Sequence, residues 1–152
     1  MSTTFATTTN TTVTEAPART TRARALWFAG LVSGAVAAVA TTVIAAAARS
    51  ADVPLAIDGE QIPLLGFAQL TMMCAVVGTV LAVSFAKWAR RPQRTFVVTT
   101  VVLTALSLVP DAIANATIGS KLVLMLTHVV AASIVVPTLA SRLPALAKRL
   151  PA

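Results

Sequence analysis

His128, the only histidine in this 152-residue sequence, stands inside a long apolar run, and Asp111 stands near the end of the run before it. An imidazole and a carboxylate exchange protons readily near neutral pH, so together they offer a proton relay or the polar floor of a small pocket. Gln69, in an earlier apolar run, carries both a donor and an acceptor and can bond to either. The same three residues also suit a structural task, a hydrogen-bonded clasp that fixes how helices register. An aspartate at the centre of a membrane helix costs up to about 2.5–3.5 kcal/mol, so it turns toward the bundle and finds a partner. Burial disfavours the charged forms of Asp111 and His128 while pairing favours them, and the sequence does not decide between the two. The clasp is the favoured reading.

Other residue types that do chemistry are sparse. Cys74 is the single cysteine, lies in an apolar run and reads as a small packing residue. Asp52, Asp58 and Glu60 form an acidic stretch, but their spacing fits no calcium loop, and they read as a solvated loop. No catalytic, metal or nucleotide motif stands out. The expectation is therefore a protein that is not an enzyme and carries no cofactor and no metal.

The elements that would position these residues follow from composition and charge. Hydrophobic residues make up 57% of the chain and charged residues 11%, with a mean hydropathy of +0.84. A soluble domain has about a quarter of its residues charged, so this is a membrane composition. The formal charge of +7 would suggest nucleic acid in a soluble protein, but here the cations cluster at the ends of apolar runs. Tyr is absent and aromatics are few, which speaks against a base-stacking surface, and no nucleic-acid partner is expected.

Four spans are predicted, over about 25–48, 62–86, 95–117 and 121–140. Trp27, Phe28 and Trp88 stand where aromatic rings favour a membrane interface. The third apolar run reaches only Val109 before Pro110, which is short for a crossing, so the helix is expected to continue through a kink at Pro110. Thr104 and Ser107 are candidates to bond the carbonyl that proline frees. The alternative is a helix that stops at Pro110 and leaves Asp111 among headgroups. A signal peptide is the alternative for the first run, which exceeds an h-region of about 7–15 residues. Counted from the helix ends, Gln69, Asp111, His128 and the pair Thr41 and Thr42 all lie roughly 10 Å from one surface, a single polar layer.

Orientation rests on cations. Arg19, Arg22 and Arg24 precede the first span, Lys87, Arg90, Arg91 and Arg94 lie between the second and third, and Arg142, Lys148 and Arg149 follow the fourth. Only Arg49 and Lys121 lie on the other side, with Asp52, Asp58, Glu60 and Asp111. Positive charge stays inside, which puts both termini in the cytoplasm. The Thr-rich residues 1–21 are expected to be a disordered cytoplasmic tail, 22–143 the four-helix transmembrane domain, and 144–152 a cytoplasmic interfacial tail. A turn is expected at Asp58-Gly59. Gly30 and Gly34, continued by Ala38, Thr42 and Ala46, form a small-residue face for helix packing, either within the bundle or in a homodimer seam.

Four stretches together carry a resemblance: Ile62-Pro63-Leu64-Leu65-Gly66-Phe67-Ala68-Gln69-Leu70, Ala89-Arg90-Arg91-Pro92, the run from Leu103 to Pro110-Asp111, and Leu126-Thr127-His128-Val129-Val130-Ala131-Ala132. Over about Arg24 to Pro144 the chain resembles a family of uncharacterised small four-span membrane proteins of actinobacteria, a domain of unknown function. The resemblance implies the four-span fold and a bacterial plasma membrane, and it implies no activity. The reading from sequence is an all-α bundle of four transmembrane helices, N-in and C-in. Its expected role is a structural or accessory membrane component in contact with the lipid bilayer, with a homo-oligomer or another membrane protein as partner. The alternative is a proton-coupled small-solute transporter or sensor built on Asp111, His128 and Gln69.

Overall fold

The computed structural model describes residues 16–143, and side chains from Ala23 onward. Four helices follow one another: α1 (Ala16–Ser50), α2 (Leu64–Trp88), α3 (Pro92–Ile113) and α4 (Ile118–Ala140). Each is long and apolar enough to cross a membrane. Between α1 and α2 lies a small antiparallel hairpin, β1 (Ala56–Ile57) and β2 (Glu60–Gln61). The helix of α1 already includes residues 16–21, expected as part of the tail. Residues 1–15, and the interfacial tail at 144–152, lie outside the described residues.

The helix ends have local causes. Pro92 occupies the first turn of α3, where its missing N–H costs nothing, so α3 starts three residues before the expected Thr95. Only Ala89, Arg90 and Arg91 separate α2 from α3. Pro63 is the cap residue of α2, with extended backbone. Thr117 caps α4 by accepting a hydrogen bond from the Ser120 amide at 3.2 Å, so α4 starts at Ile118, ahead of the expected 121. α3 runs through Pro110 and ends at Ile113, short of the expected 117.

The hairpin turns at Asp58 (φ 52°) and Gly59 (φ 85°), the two left-handed positions of a tight β-turn that an Asp-Gly pair suits. It is fastened to the α3–α4 connection. The Asp58 amide donates to the Asn115 carbonyl at 3.1 Å, and Asn115 Nδ2 donates to Asp58 Oδ1 at 3.1 Å. Ser120, fully buried, donates its hydroxyl to the Pro54 carbonyl. Beneath the hairpin Ala45, Leu55, Phe67 and Leu124 form one apolar cluster. A second cluster, centred on Leu26, Ala37, Ala82, Phe96 and Leu139, fills the end nearer the α2–α3 loop.

α1 is the packing centre, with its most extensive contact on α2 and the next on α4. α3 leans on α4 and meets α2 more lightly. The seam between α1 and α2 is close. A methyl on Gly30 would stand 1.9 Å from Thr79 Oγ1, and one on Gly34 would stand 2.7 Å from Ala75 Cβ. The small-residue face thus meets α2 of the same chain. It does not continue to Thr42 and Ala46 but steps to Thr41 and Ala45, both buried. Steps of four residues overrun a 3.6-residue turn, so a straight contact line must drop back a residue. The outward surface is predominantly apolar, with Val39, Leu65, Val101 and Leu122 all exposed. Continuous exposed apolar surface of this kind is unlike that of a soluble monomer.

Candidate functional site

The polar contact between α3 and α4 is where the chain's unusual side chains meet. Asp111 lies in the last turn of α3 and is buried, while His128 lies near the middle of α4 with its side chain 37% exposed. A tight connection would set Asp111 opposite about Ser120. The contact at His128 is some two turns further along α4, an offset of about 12 Å. The non-helical connector 114–117 spans up to about 13 Å when extended and takes up that offset. Lys121 closes the end of α3 by donating from Nζ to the Ala112 carbonyl at 2.9 Å, a cation on the last helical carbonyls.

His128 Nδ1 stands 3.0 Å from Asp111 Oδ2 and 3.0 Å from the Leu124 carbonyl one turn back. The hydrogen bond is aligned with Leu124, while the carboxylate oxygen makes a close polar contact and has no hydrogen-bond partner of its own among the described residues. Because Leu124 offers only an acceptor, Nδ1 carries the ring proton. In the neutral ring that leaves Nε2 with its lone pair, facing away from the pair.

Gln69 is not part of this arrangement. It is exposed, on the side of α2 opposite the buried line of Phe67, Ala75, Thr79 and Ala82. Gln69 follows Phe67 by two residues, a rotation of about 200° around the helix. The layer expected across all four spans is two separate contacts. One is Asp111 with His128. The other joins α1 to α2, where the hydroxyls of Thr41 and Thr71 meet at 3.0 Å. Thr42 bonds its own helix, donating to the Ala38 carbonyl at 2.7 Å. Cys74 is also corrected: it is exposed, one position to the side of the buried Ala75, and is not a core packing residue. Ser107 donates to the Thr104 carbonyl at 2.7 Å and does not serve the Leu106 carbonyl that Pro110 frees. Among the described residues no three of His, Cys, Asp and Glu come together as a metal site, and Asp52, Asp58 and Glu60 are all exposed.

Beside the Asp111–His128 contact, a cavity of about 260 Å³ opens between α2, α3 and α4. His128 stands at its wall with Thr100, Thr104 and Ser107, and the rest is largely apolar, including Met73, Val77, Leu103 and Val136. Sequence reasoning missed this cleft, although Thr100, Thr104 and Ser107 fall at steps of four and three along one helix face.

The model of a family of unknown function, DUF6069, matches residues 21–145. The chain belongs to that family. The matched span contains the Asp111–His128 contact, the cleft and the hairpin, and the whole of the resemblance read from about Arg24 to Pro144 falls within it. No curated protein and no solved structure matches the chain.

Proposed function

We propose that the chain is a small accessory component of a bacterial plasma membrane, in which the Asp111–His128 contact is a structural clasp. One observation carries the reading: the contact is short and local, and Gln69, which would have extended it to a third helix, faces away from the bundle. A proton path needs a succession of polar groups toward both surfaces, and the buried hydroxyls Ser33, Thr41, Thr79, Thr100 and Thr127 each donate to a carbonyl of their own helix or a neighbouring hydroxyl. The clasp holds α3, the helix with the least contact to its neighbours, onto α4. The reading assigns the chain no catalytic activity and gives it a homo-oligomer or a second membrane protein as partner.

The test is proton movement in liposomes. The clasp reading expects no pH change across proteoliposomes under an imposed potential, and the same flat trace for Asp111→Asn. A flux in the parent that both Asp111→Asn and His128→Gln abolish, with folding retained, would make the pair a relay. That second reading is favoured by the exposure of His128 toward the cleft.

The same proposal places both termini and the loop at Arg90 in the cytoplasm, from the distribution of cations. In a Cys74→Ser background, an impermeant maleimide on intact cells should label Glu60→Cys and should reach Arg90→Cys only after permeabilisation. The reverse pattern would invert the topology.

A further inference from the structure

The cleft between α2, α3 and α4 has more structure than a packing defect. At Gly78, on its α2 wall, an added methyl would find nothing within 4 Å. A glycine inside a helix costs about 1 kcal/mol relative to alanine, so it ordinarily stands where something approaches closely. Gly30 and Gly34 do stand in such places and Gly78 does not. Its missing side chain keeps the cleft open.

Most polar groups of the wall have spent their protons on their own helices. Thr100 spends its hydroxyl proton on the Phe96 carbonyl at 2.8 Å, and Ser107 spends its own on the Thr104 carbonyl at 2.7 Å. His128 spends its ring proton on the Leu124 carbonyl. What these three groups still present is acceptors: hydroxyl lone pairs and, in the neutral ring, Nε2. The Thr71 hydroxyl is shared with Thr41 at 3.0 Å, and the Thr104 hydroxyl, with no hydrogen bond among the described residues, keeps a proton to donate. Among the described residues no lysine or arginine lines the cleft, and the Asp111 carboxylate stands against His128, so an anionic head group has no counterion there. The remainder of the wall is apolar from His128 to Val136, a length of about 12 Å along α4. Met73, Val77 and Leu103 on its margin are exposed, which makes the entrance lateral and not at an end of the bundle.

We infer that this cleft binds one aliphatic chain ending in a hydroxyl, a neutral membrane alcohol that donates its proton to His128 Nε2 and lays its chain against α2, α3 and α4. The donor follows from the acceptors of Thr100, Ser107 and His128, an alcohol oxygen can in turn accept from Thr104, and the uncharged state follows from the absence of a cation among the described lining residues. Entry from the lipid follows from the lateral opening. The inference goes beyond the accessory role and holds whether the Asp111–His128 contact is clasp or relay.

Cys74 lines the cleft and is the only cysteine in the chain, which makes it the reporter. The full chain in phosphatidylcholine nanodiscs is treated with N-ethylmaleimide, and alkylation is followed by intact mass. Three probes of equal chain length are compared: 1-hexadecanol, hexadecane and hexadecanoate. At ten times its dissociation constant, hexadecanol should slow alkylation about tenfold by simple occupancy, with the other two far weaker. His128→Phe should remove the preference for the alcohol. Gly78→Leu should fold, slow alkylation without any probe, and abolish the probe effect. Equal protection by all three probes would reduce the cleft to an unselective apolar void, and protection by hexadecanoate above hexadecanol would overturn the acceptor assignment. No protection by any probe, with Cys74 alkylated at the same rate in Gly78→Leu, would mean that the cleft is closed in the membrane.

Discussion

α2 has glycine at two of its walls, those of α1 packed against one and its own Gly78 on the other, and they do opposite things. On the α1 side, Gly30 and Gly34 remove side chains so that backbones can close to a distance that no methyl would survive. On the α3 side, Gly78 removes a side chain where nothing comes near, and a cavity results. The first wall is a close seam between extensively packed helices. The second faces α3, which has the lighter contact. In a membrane, where lipid tails compete equally for apolar surface, close packing of small residues is what holds helices together. A helix denied that packing needs another device, and α3 has one in Asp111 with His128. The bundle thus has a rigid half, α1 with α2 and α4, and a looser half in which one polar contact and a hairpin-side connection position α3.

The largest expected effect breaks the rigid half. Gly30→Leu drives a side chain into Thr79, whose hydroxyl already donates to the Ala75 carbonyl at 2.7 Å. Overpacking a close site costs typically 1–3 kcal/mol, and this one belongs at about 3 kcal/mol or more. Thermal denaturation in detergent should show a large fall in midpoint or a failure to fold. A variant as stable as the parent would mean that α1 and α2 do not meet along this face.

Second in size is the polar contact. Asp111→Asn and His128→Gln should each destabilise by about 1–2 kcal/mol, less than a fully buried pair would, because His128 is partly exposed. The double variant should lose less than the two singles together, since residues in contact couple by about 0.5–3 kcal/mol. Strict additivity in a thermal-stability cycle would show that the two groups act independently and that something else holds α3.

The sequence disclosed heights well and faces poorly. Apolar runs bounded by charge located four helices, and the distance of Asp111 and His128 from the helix ends put them at comparable depth, where the structure has them touching. Asp58-Gly59 read as a turn because only a few residue types accept two successive left-handed positions, and both have positive φ. Gln69 failed for a different reason. Counting from a helix end gives depth but not azimuth, and azimuth is set by which line of side chains packs inward. On an almost uniformly apolar helix that line leaves little trace in the sequence. Cys74 sits one position from Ala75 and on a different face for the same reason. The role of Gly78 is equally hidden in the sequence, since whether a glycine closes a seam or opens a cleft depends on what stands opposite.

A smaller effect tests how the looser half is tied down. Ser120→Ala removes the hydroxyl that bonds the Pro54 carbonyl and meets Thr117 at 2.9 Å. One intramolecular hydrogen bond is worth about 1 kcal/mol net. The expected loss is of that order, accompanied by faster amide exchange at Ala56 and Ile62, whose amides are held by hairpin hydrogen bonds. Unchanged exchange in the hairpin would show that Asp58 and Asn115 suffice to fasten it.

The smallest expected effect is the sharpest contrast. Gly78→Ala and Gly34→Ala add the same methyl to the same kind of helix. At Gly34 the methyl meets Ala75 Cβ at 2.7 Å, and the seam must open or shift. At Gly78 it meets nothing within 4 Å. Alanine also forms helix more readily than glycine by about 1 kcal/mol, a gain offset at Gly34 by the clash and opposed by nothing at Gly78. Gly78→Ala should therefore leave the thermal midpoint unchanged or raise it by an amount worth up to about 1 kcal/mol, while Gly34→Ala lowers it. If the two substitutions shift the midpoint alike, the two walls of α2 are equally packed in the membrane and the division into a rigid and a looser half fails. If Gly78→Ala is the more damaging, something occupies the cleft closely enough to resent a single methyl, and the wall facing α3 is no emptier than the wall facing α1.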